Sequence, residues 1–324
     1  MPEKKLRLGI VMDPIATITP KKDSSFAMLL EAGRRGIDVH YMLQRDMKLV
    51  NGVAYGTARP LRVRDDHNNW FELGEAAELP LGELDVILMR KDPPFDMEYI
   101  HSTYMLERAE SAGALIVNRP QSLRDMNEKV YTAWFADCAP LTLVTRAKAD
   151  LKQFLRDNEH IVVKPLDGMG GRSIFVVRKG DNNANVIFET LTDNEQRFAM
   201  AQRYIPEISA GDKRILLIDG EPVPYALARV PAADDNRGNL VLGATGEGRE
   251  LTERDRYICA QVGPVLKERG VIFAGLDVIG DYLTEINVTS PTGIRELDRL
   301  FDLNIAGQLF DAIERRLAAK QDNA

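Results

Sequence analysis

Four short apolar runs in the first 120 residues restrict the fold more than anything else in the chain. They are LRLGIVM from Leu6, IDVHYML from Ile37, LDVILMR from Leu84 and ALIVN from Ala114. LRLGIVM and LDVILMR do not alternate apolar with polar residues, as a strand with one wet face does. They predict strands of a parallel sheet, buried on both faces. Parallel strands need crossover connections, usually helices. KKDSSFAMLLEAGRRG predicts one such helix, capped by Asp23 or Ser24 and ended by Gly36. A second is predicted near Met97 to Ala112. Asn51-Gly52, inside LVNGVAY, is a hairpin-turn pair. The expectation is a doubly wound α/β domain of roughly 120 residues. The turn after the first strand, MDPIATI, lacks GxGxxG and places Pro14 where close approach to a pyrophosphate wants glycine. A nicotinamide or flavin dehydrogenase is therefore disfavoured.

The character changes after Pro120. A helix is predicted near 127–136, then a smaller α/β module around 140–205. From Asp212 strands dominate: RILLIDG, PVPYALARV, GVIFAGLDVIG and YLTEINV, with a helix near 252–270 among them and another near 305–319. The stretch from Pro231 to Glu250 reads as one loop, and a loop that long in a compact chain is functional or disordered. Lys and Arg number 42 against 49 Asp and Glu, for a net charge of −7. Nucleic acids and anionic membranes demand a basic face, so neither is expected as a partner; a small phosphate ligand needs only a few local cations. Cys138 and Cys259 form no CxxC and read as buried packing residues in a reducing compartment. His40, His67, His101 and His160 show no zinc spacing. The N-terminus lacks a signal peptide's apolar core, and no apolar run approaches the ~18 residues of a membrane span, so the cytoplasm is expected.

Three features carry chemistry. GLDVIGDYLTEINVTSPTGIRE, Gly275 to Glu296, predicts two apolar strands about a turn at Gly280 and Asp281, yet it holds Asp277, Glu285 and Asn287. Residues i and i+2 of a strand share a face, so Glu285 and Asn287 point together. A two-residue loop would pair Leu276 with Glu285 and leave Asp277 on the wrong face; an odd loop centred on Asp281 would pair Asp277 with Glu285. Paired carboxylates repel and want a cation between them, and hard oxygen ligands suit Mg²⁺ or Mn²⁺. The competing reading is an edge strand whose acids face solvent, and this stretch alone leaves the two level. In IVVKPLDGMGGRSIFVV a β-branched strand ends at Lys164 and a loop with Gly168, Gly170 and Gly171 precedes a second strand. Such a loop lets backbone N–H groups approach phosphate, although a plain hairpin turn competes. Lastly, Lys129, Arg214, Arg229, Arg237 and Arg295 each read alone as surface residues. Beside a metal site and a glycine loop they look like clamps for phosphate and carboxylate.

These pieces, in this order, resemble the ATP-grasp ligases. KDSSFAMLLEA, LMRKDPPFD, NRPQSLRDMNEK, VKPLDGMGG, GDKRILLIDGEPVPYALAR and LTEINVTSPTGIRE are similar to the prokaryotic glutathione synthetase family, from about Leu6 to about Leu317. The resemblance implies an α/β fold with a Rossmann-like pre-ATP-grasp domain at 1–122 and a two-lobed ATP-grasp domain at 123–324. The lobes would span about 123–203 and 204–318, with a lid near 230–248. It implies ATP-dependent joining of γ-glutamylcysteine and glycine through an acyl phosphate, giving glutathione, ADP and phosphate. Asp277, Glu285 and Asn287 would hold two Mg²⁺ ions, with Mn²⁺ an acceptable substitute. Lys129 and Lys164 would contact ATP phosphates, and Gly168, Met169, Gly170 and Gly171 would cover them. Gln202, Arg203, Tyr204 and Ile205 would form the adenine hinge, with Asp212 a nearby polar contact and Asn239 reaching the metal–phosphate cluster. Arg214 and Arg229 would stabilise the acyl phosphate and the oxyanion after it. Arg90, Asp92, Ser290, Pro291, Thr292 and Arg295 would face the peptide substrate. A homo-oligomer, tetramer or dimer, is implied as well. The alternatives are an ATP-grasp carboxylate–amine ligase with another acceptor pair, and an ATP-binding regulatory protein without turnover. The full set of acids and arginines weighs against the second.

Overall fold

The computed structural model describes residues 5–168, 171–231 and 245–322. Its first part runs β1 (Arg7–Met12), α1 (Ser24–Arg34), β2 (Asp38–Met42), β3 (Met47–Val50), β4 (Val53–Val63), β5 (Phe71–Leu73), β6 (Ala77–Pro80), β7 (Val86–Arg90), α2 (Met97–Ser111), β8 (Leu115–Val117) and α3 (Pro120–Asp125). Among the described residues these strands form an eight-stranded sheet, ordered β3-β4-β2-β1-β7-β8, with β5 and β6 also on β4. β1 lies parallel to β2 and β7, and β7 to β8, as the apolar runs predict. Successive side chains point to opposite faces, so both faces of this parallel core are apolar. Leu8, Ile10, Val86 and Leu88 pack with Met28 and Leu29 of α1. Ile87 and Met89 pack with Tyr99 and Leu106 of α2. Each such side chain removed from water contributes about 2 kcal/mol. Asp23 caps α1 by accepting the Phe26 N–H at 2.7 Å, and Asp96 caps α2 through Tyr99 at 2.9 Å. Asn51 and Gly52 take positive φ of 48° and 81° and join β3 to β4, the hairpin expected of that pair.

The second part contains β9 (Thr142–Thr145), α4 (Lys148–Asn158), β10 (His160–Pro165), β11 (Phe175–Arg178), α5 (Ala184–Thr192) and β12 (Ala199–Arg203). Its four-stranded antiparallel sheet, β11-β10-β12-β9, packs Ile161, Val163 and Val177 on Leu151, Leu155 and Phe188. The third part holds β13 (Asp212–Ile218), β14 (Glu221–Val230), β15 (Thr245–Glu250), α6 (Glu253–Glu268), β16 (Phe273–Ile279), β17 (Tyr282–Asn287), α7 (Ile294–Phe301) and α8 (Ile305–Asp322). Its five-stranded antiparallel sheet has the order β15-β14-β13-β16-β17. Thr252 and Asp255 form a capping box at the start of α6.

Two expectations change. The helix near 127–136 is a short 3₁₀ segment, Val130–Phe135. Thr132 Oγ1 donates to the Lys129 carbonyl at 2.7 Å, and the side-chain oxygen of Asn127 accepts the N–H groups of Lys129 and Val130, so side chains compete with a regular α ladder. The loop from Pro231 to Glu250 ends earlier than expected, because Thr245–Glu250 pairs with β14 as β15. SPTGIRE, for which the sequence predicts no element, leads into α7 at Ile294.

Asn118, at the end of β8, ties the eight-stranded sheet to the five-stranded one. Its amide nitrogen donates to the carbonyls of Phe273 and Val288, at 2.7 and 2.6 Å. Its amide oxygen accepts the N–H groups of Ile272 and Phe273, at 2.8 and 2.9 Å. The residue is buried, so no water replaces a lost partner. Asn118→Ala should therefore cost about 3 kcal/mol. Urea unfolding checks this as a lowered midpoint with an unchanged slope.

Candidate functional site

The seven residues 278–284 separate Asp277 from Glu285, an odd number that a two-residue turn and a regular ladder cannot bring face to face. The structure has the two-residue turn: Ile279 pairs with Tyr282 and Val278 with Leu283. A bulge then leaves Thr284 out of the ladder, and Asp277 pairs with Glu285 and Gly275 with Asn287. The outcome is that of the odd loop, reached by another route. The Thr284 hydroxyl donates to the Asp277 carbonyl at 3.1 Å, and its own carbonyl accepts from Lys164 Nζ at 3.4 Å.

Four cations surround this pair. Arg214 on β13 lies opposite Asp277 and grips it with two bonds, Nε to Oδ1 at 2.5 Å and Nη2 to Oδ2 at 3.0 Å. Arg229 on β14 lies 2.9 Å from Asp277 Oδ2 and also donates to Asp212 Oδ2 at 2.5 Å. Glu285 Oε1 has Lys164 Nζ at 3.4 Å and Lys129 Nζ at 3.6 Å. Lys129 also donates to the Gly168 carbonyl at 2.7 Å and to the carboxylate of Glu128. Burial pushes the Asp277 carboxyl up, but Arg214 and then Arg229 more than reverse this and hold it well below the usual range. Glu285 follows the same rule, with burial opposed by Lys129 and Lys164. Asp212 goes the other way. Burial outweighs Arg229 and lifts it to about 7, and its buried Oδ1 has no hydrogen-bond partner among the described residues.

The remaining expected residues distribute unevenly. Gly168 stands at the loop entrance, where an added Cβ would lie 2.8 Å from the Pro165 ring, and Gly171 has a φ of +75° that favours glycine. Met169, Gly170 and Asn239 lie outside the described residues, as do residues 232–244 of the expected lid; its last positions, Thr245 to Gly248, belong to β15. Gln202 is buried and bonds Thr142, Arg203 donates to the Tyr282 hydroxyl at 2.9 Å, Tyr204 stacks on His160, and Ile205 is buried. This hinge thus touches the turn of the acidic hairpin through Arg203. Arg90 is buried, donating to Ser25 Oγ and to the Pro291 carbonyl, each at 2.9 Å. Ser290 Oγ is 3.4 Å from the Arg90 carbonyl, and the Thr292 carbonyl is 3.3 Å from Arg214 Nη1. Residues 290–292 therefore bridge Arg90 to the acid row. Asp92 is exposed, its N–H donating to Asp13. Arg295 is not brought to the network. It pairs with Asp65 at 2.9 Å over the Phe26 ring and lines a separate cavity of about 580 Å³ with Lys21, Arg34 and Asp298. Glu128, Ser25 and Asn127 were missed; the only signal for the acid was its place beside Lys129 in NEK.

Two carboxylates and an amide oxygen form the hard donor set that a divalent cation such as Mg²⁺ takes. Among the described residues no group of three or more His, Cys, Asp or Glu side chains converges as metal ligands, so an ion here would need the Asn287 amide oxygen beside the two carboxylates. Asn287 Nδ2 donates to Asp277 Oδ2 at 3.3 Å, which brings the two side chains together; a cation between them would take the amide oxygen in place of that hydrogen bond. The residues present fit such an ion.

Comparison with known proteins gives consistent matches. The model of the prokaryotic glutathione synthetase N-terminal domain matches residues 6–124, and that of the prokaryotic glutathione synthetase ATP-grasp domain matches 128–302. The glutathione synthetase of Escherichia coli (strain K12) is 61% identical over 312 residues, covering 96% of this chain and 99% of its own length. That of Shewanella oneidensis is 60% identical with the same coverage. Among solved structures, D-cycloserine synthetase DcsG superposes with a TM-score of 0.68 at 17% identity, covering 96% of this chain and 99% of its own. A RimK domain ATP-grasp protein from Sphaerobacter thermophilus gives 0.61 at 15%, covering 94% and 98%. At these identities the two structures share the fold alone.

Arg214 and Asp277 are both buried, so losing Asp277 strands the guanidinium and losing Arg214 leaves the carboxylate with Arg229 alone. Arg214→Met should cost about 3 kcal/mol. Adding Asp277→Asn to it should cost less than the two single losses together, and chemical denaturation of the four proteins measures that coupling.

Proposed function

The chain belongs to the prokaryotic glutathione synthetase family, and on that premise we propose that the charge network around Asp277 and Glu285 is its catalytic centre. The chain is an ATP-dependent ligase that joins γ-glutamylcysteine and glycine to give glutathione, ADP and phosphate. One observation carries the site assignment: a cross-strand pair of buried-side acids, Asp277 and Glu285, ringed by Lys129, Lys164, Arg214 and Arg229.

The roles follow from charge and reach. Lys129 and Lys164 bind phosphate oxygens of ATP at the mouth of the loop that holds Gly168, Met169, Gly170 and Gly171. Gln202, Arg203, Tyr204 and Ile205 line the adenine side, and Asp212, with a buried oxygen lacking a partner among the described residues, is a polar contact nearby. Asp277, Glu285 and Asn287 would hold divalent metal, two Mg²⁺ ions with Mn²⁺ as a substitute, and Asn239 would contribute to the same cluster. When bound, the metal neutralises phosphate charge and orients the γ-phosphoryl group. Arg90, Asp92 and residues 290–292 hold the dipeptide so that its cysteinyl carboxylate faces that group. A carboxylate oxygen attacks the γ-phosphorus, ADP leaves, and an acyl phosphate forms. The glycine amine then attacks the acyl carbon and loses a proton, and phosphate departs from the tetrahedral intermediate. Arg214 and Arg229 stabilise the negative charge on the acyl phosphate and on the oxyanion. Arg295 takes a substrate carboxylate only by leaving Asp65.

We assign 1–122 to the N-terminal domain and 123–324 to the ATP-grasp domain, in a cytoplasmic homo-oligomer, tetramer or dimer. Among the described residues no helix is long and apolar enough to cross a membrane. Phosphate release should require γ-glutamylcysteine and glycine together, with glutathione formed. Release without glycine dependence would point to another acceptor pair. Glu285→Gln should fold normally, with turnover down at least about 100-fold. Near-normal turnover at saturating Mg²⁺ would remove the metal assignment.

A further inference from the structure

Lys129 is the most buried side chain of the charge network, and it is not held by Glu285 alone. Its ammonium donates to Glu128 and to the Gly168 carbonyl at 2.7 Å, and stands farther, 3.6 Å, from Glu285 Oε1. The Glu128 backbone is fixed against the acid row, because its carbonyl accepts the Ile286 N–H at 2.8 Å, between Glu285 and Asn287. The neighbouring Asn127 anchors the same segment to the glycine loop, its Nδ2 donating to the Leu166 carbonyl at 3.0 Å. Lys129, Lys164, Arg214 and Arg229 thereby each face an acid of their own: Glu128, Glu285, Asp277 and Asp212.

We propose that Glu128 is a positioning residue that gives Lys129 a counter-ion of its own and so leaves Glu285 available to a divalent cation. Without Glu128, a buried ammonium has one carboxylate left within reach, and attraction in a site of low dielectric draws it onto Glu285. The metal then competes with Lys129 for its ligand. Glu128 acts through Lys129 and touches neither substrate nor metal. The inference rests on the assignment of Glu285 as a metal ligand.

The test is Mn²⁺ binding, read by electron paramagnetic resonance at saturating non-hydrolysable ATP analogue. Glu128→Gln should weaken Mn²⁺ binding about ten-fold. Glu128→Asp, which keeps the charge, should stay within about three-fold of the parent and serves on its own if the Gln variant does not fold. In a Lys129→Met background, Glu128→Gln should have no further effect. Equal weakening with and without Lys129, or equal weakening by Asp and Gln, overturns the proposal. Glu285→Gln separates the two readings. If it weakens Mn²⁺ binding and Glu128→Gln does not, only the role of Glu128 falls. If Glu285→Gln changes nothing, the metal assignment falls first.

Discussion

Two carboxylates placed opposite each other on neighbouring strands repel, and the site is arranged around that repulsion. Asp277 and Glu285 stay ionised in a buried row only because cations arrive from separate elements. Arg214 comes from β13, Arg229 from β14, Lys164 from β10, and Lys129 from the segment before the 3₁₀ turn. Each of these has to be in place for the others to remain buried at tolerable cost. The network thus joins the four-stranded and five-stranded sheets more specifically than apolar packing would. It also supplies the local charge that the chain as a whole, at −7, does not.

The eight-stranded sheet joins the same network by a few polar contacts. Asn118 fixes the end of β8 to both sides of the acidic hairpin's base. Arg90, at the end of β7, reaches the Pro291 carbonyl, one residue from the Thr292 carbonyl that meets Arg214. Ser24 Oγ accepts the N–H groups of Gly293 and Ile294 at the start of α7. Residues 289–294 therefore run between the end of the acid row and the helix that opens the N-terminal part. A peptide held there would have its carboxylate between two buried arginines. That placement brings RKDPPFD and SPTGIRE, far apart in sequence, to one place.

Much of this was legible in residue pattern. The unbroken runs of β1 and β7 announced parallel strands buried on both faces, and Asn51-Gly52 announced its hairpin. The acids of 277 and 285 stood out because nothing apolar needs them. What escaped has physical causes. β4 alternates buried and exposed positions and contains Gly56 and Pro60, so no apolar run marks it. β15, TGEGRE, has no apolar residue, and it is a strand because β14 offers it an edge. α7 was hidden behind Pro291 and Gly293. Glu128 went unread, because the burial of Lys129 beside it depends on β10, β17 and the glycine loop meeting in space. The register of the acidic hairpin was open for a related reason: parity depends on a bulge that no side chain advertises.

That bulge does more than correct a count. A hairpin one residue shorter would be regular and would still pair the two acids. It would lack the residue set outside the ladder, whose carbonyl Lys164 uses as a second anchor beside Glu285. The extra residue is therefore a spare acceptor built from backbone alone. It holds a lysine in place without adding another negative charge to a row that already carries two carboxylates. Because any residue has a carbonyl, this anchor survives substitution at Thr284 and is removed only by changing the length of the chain.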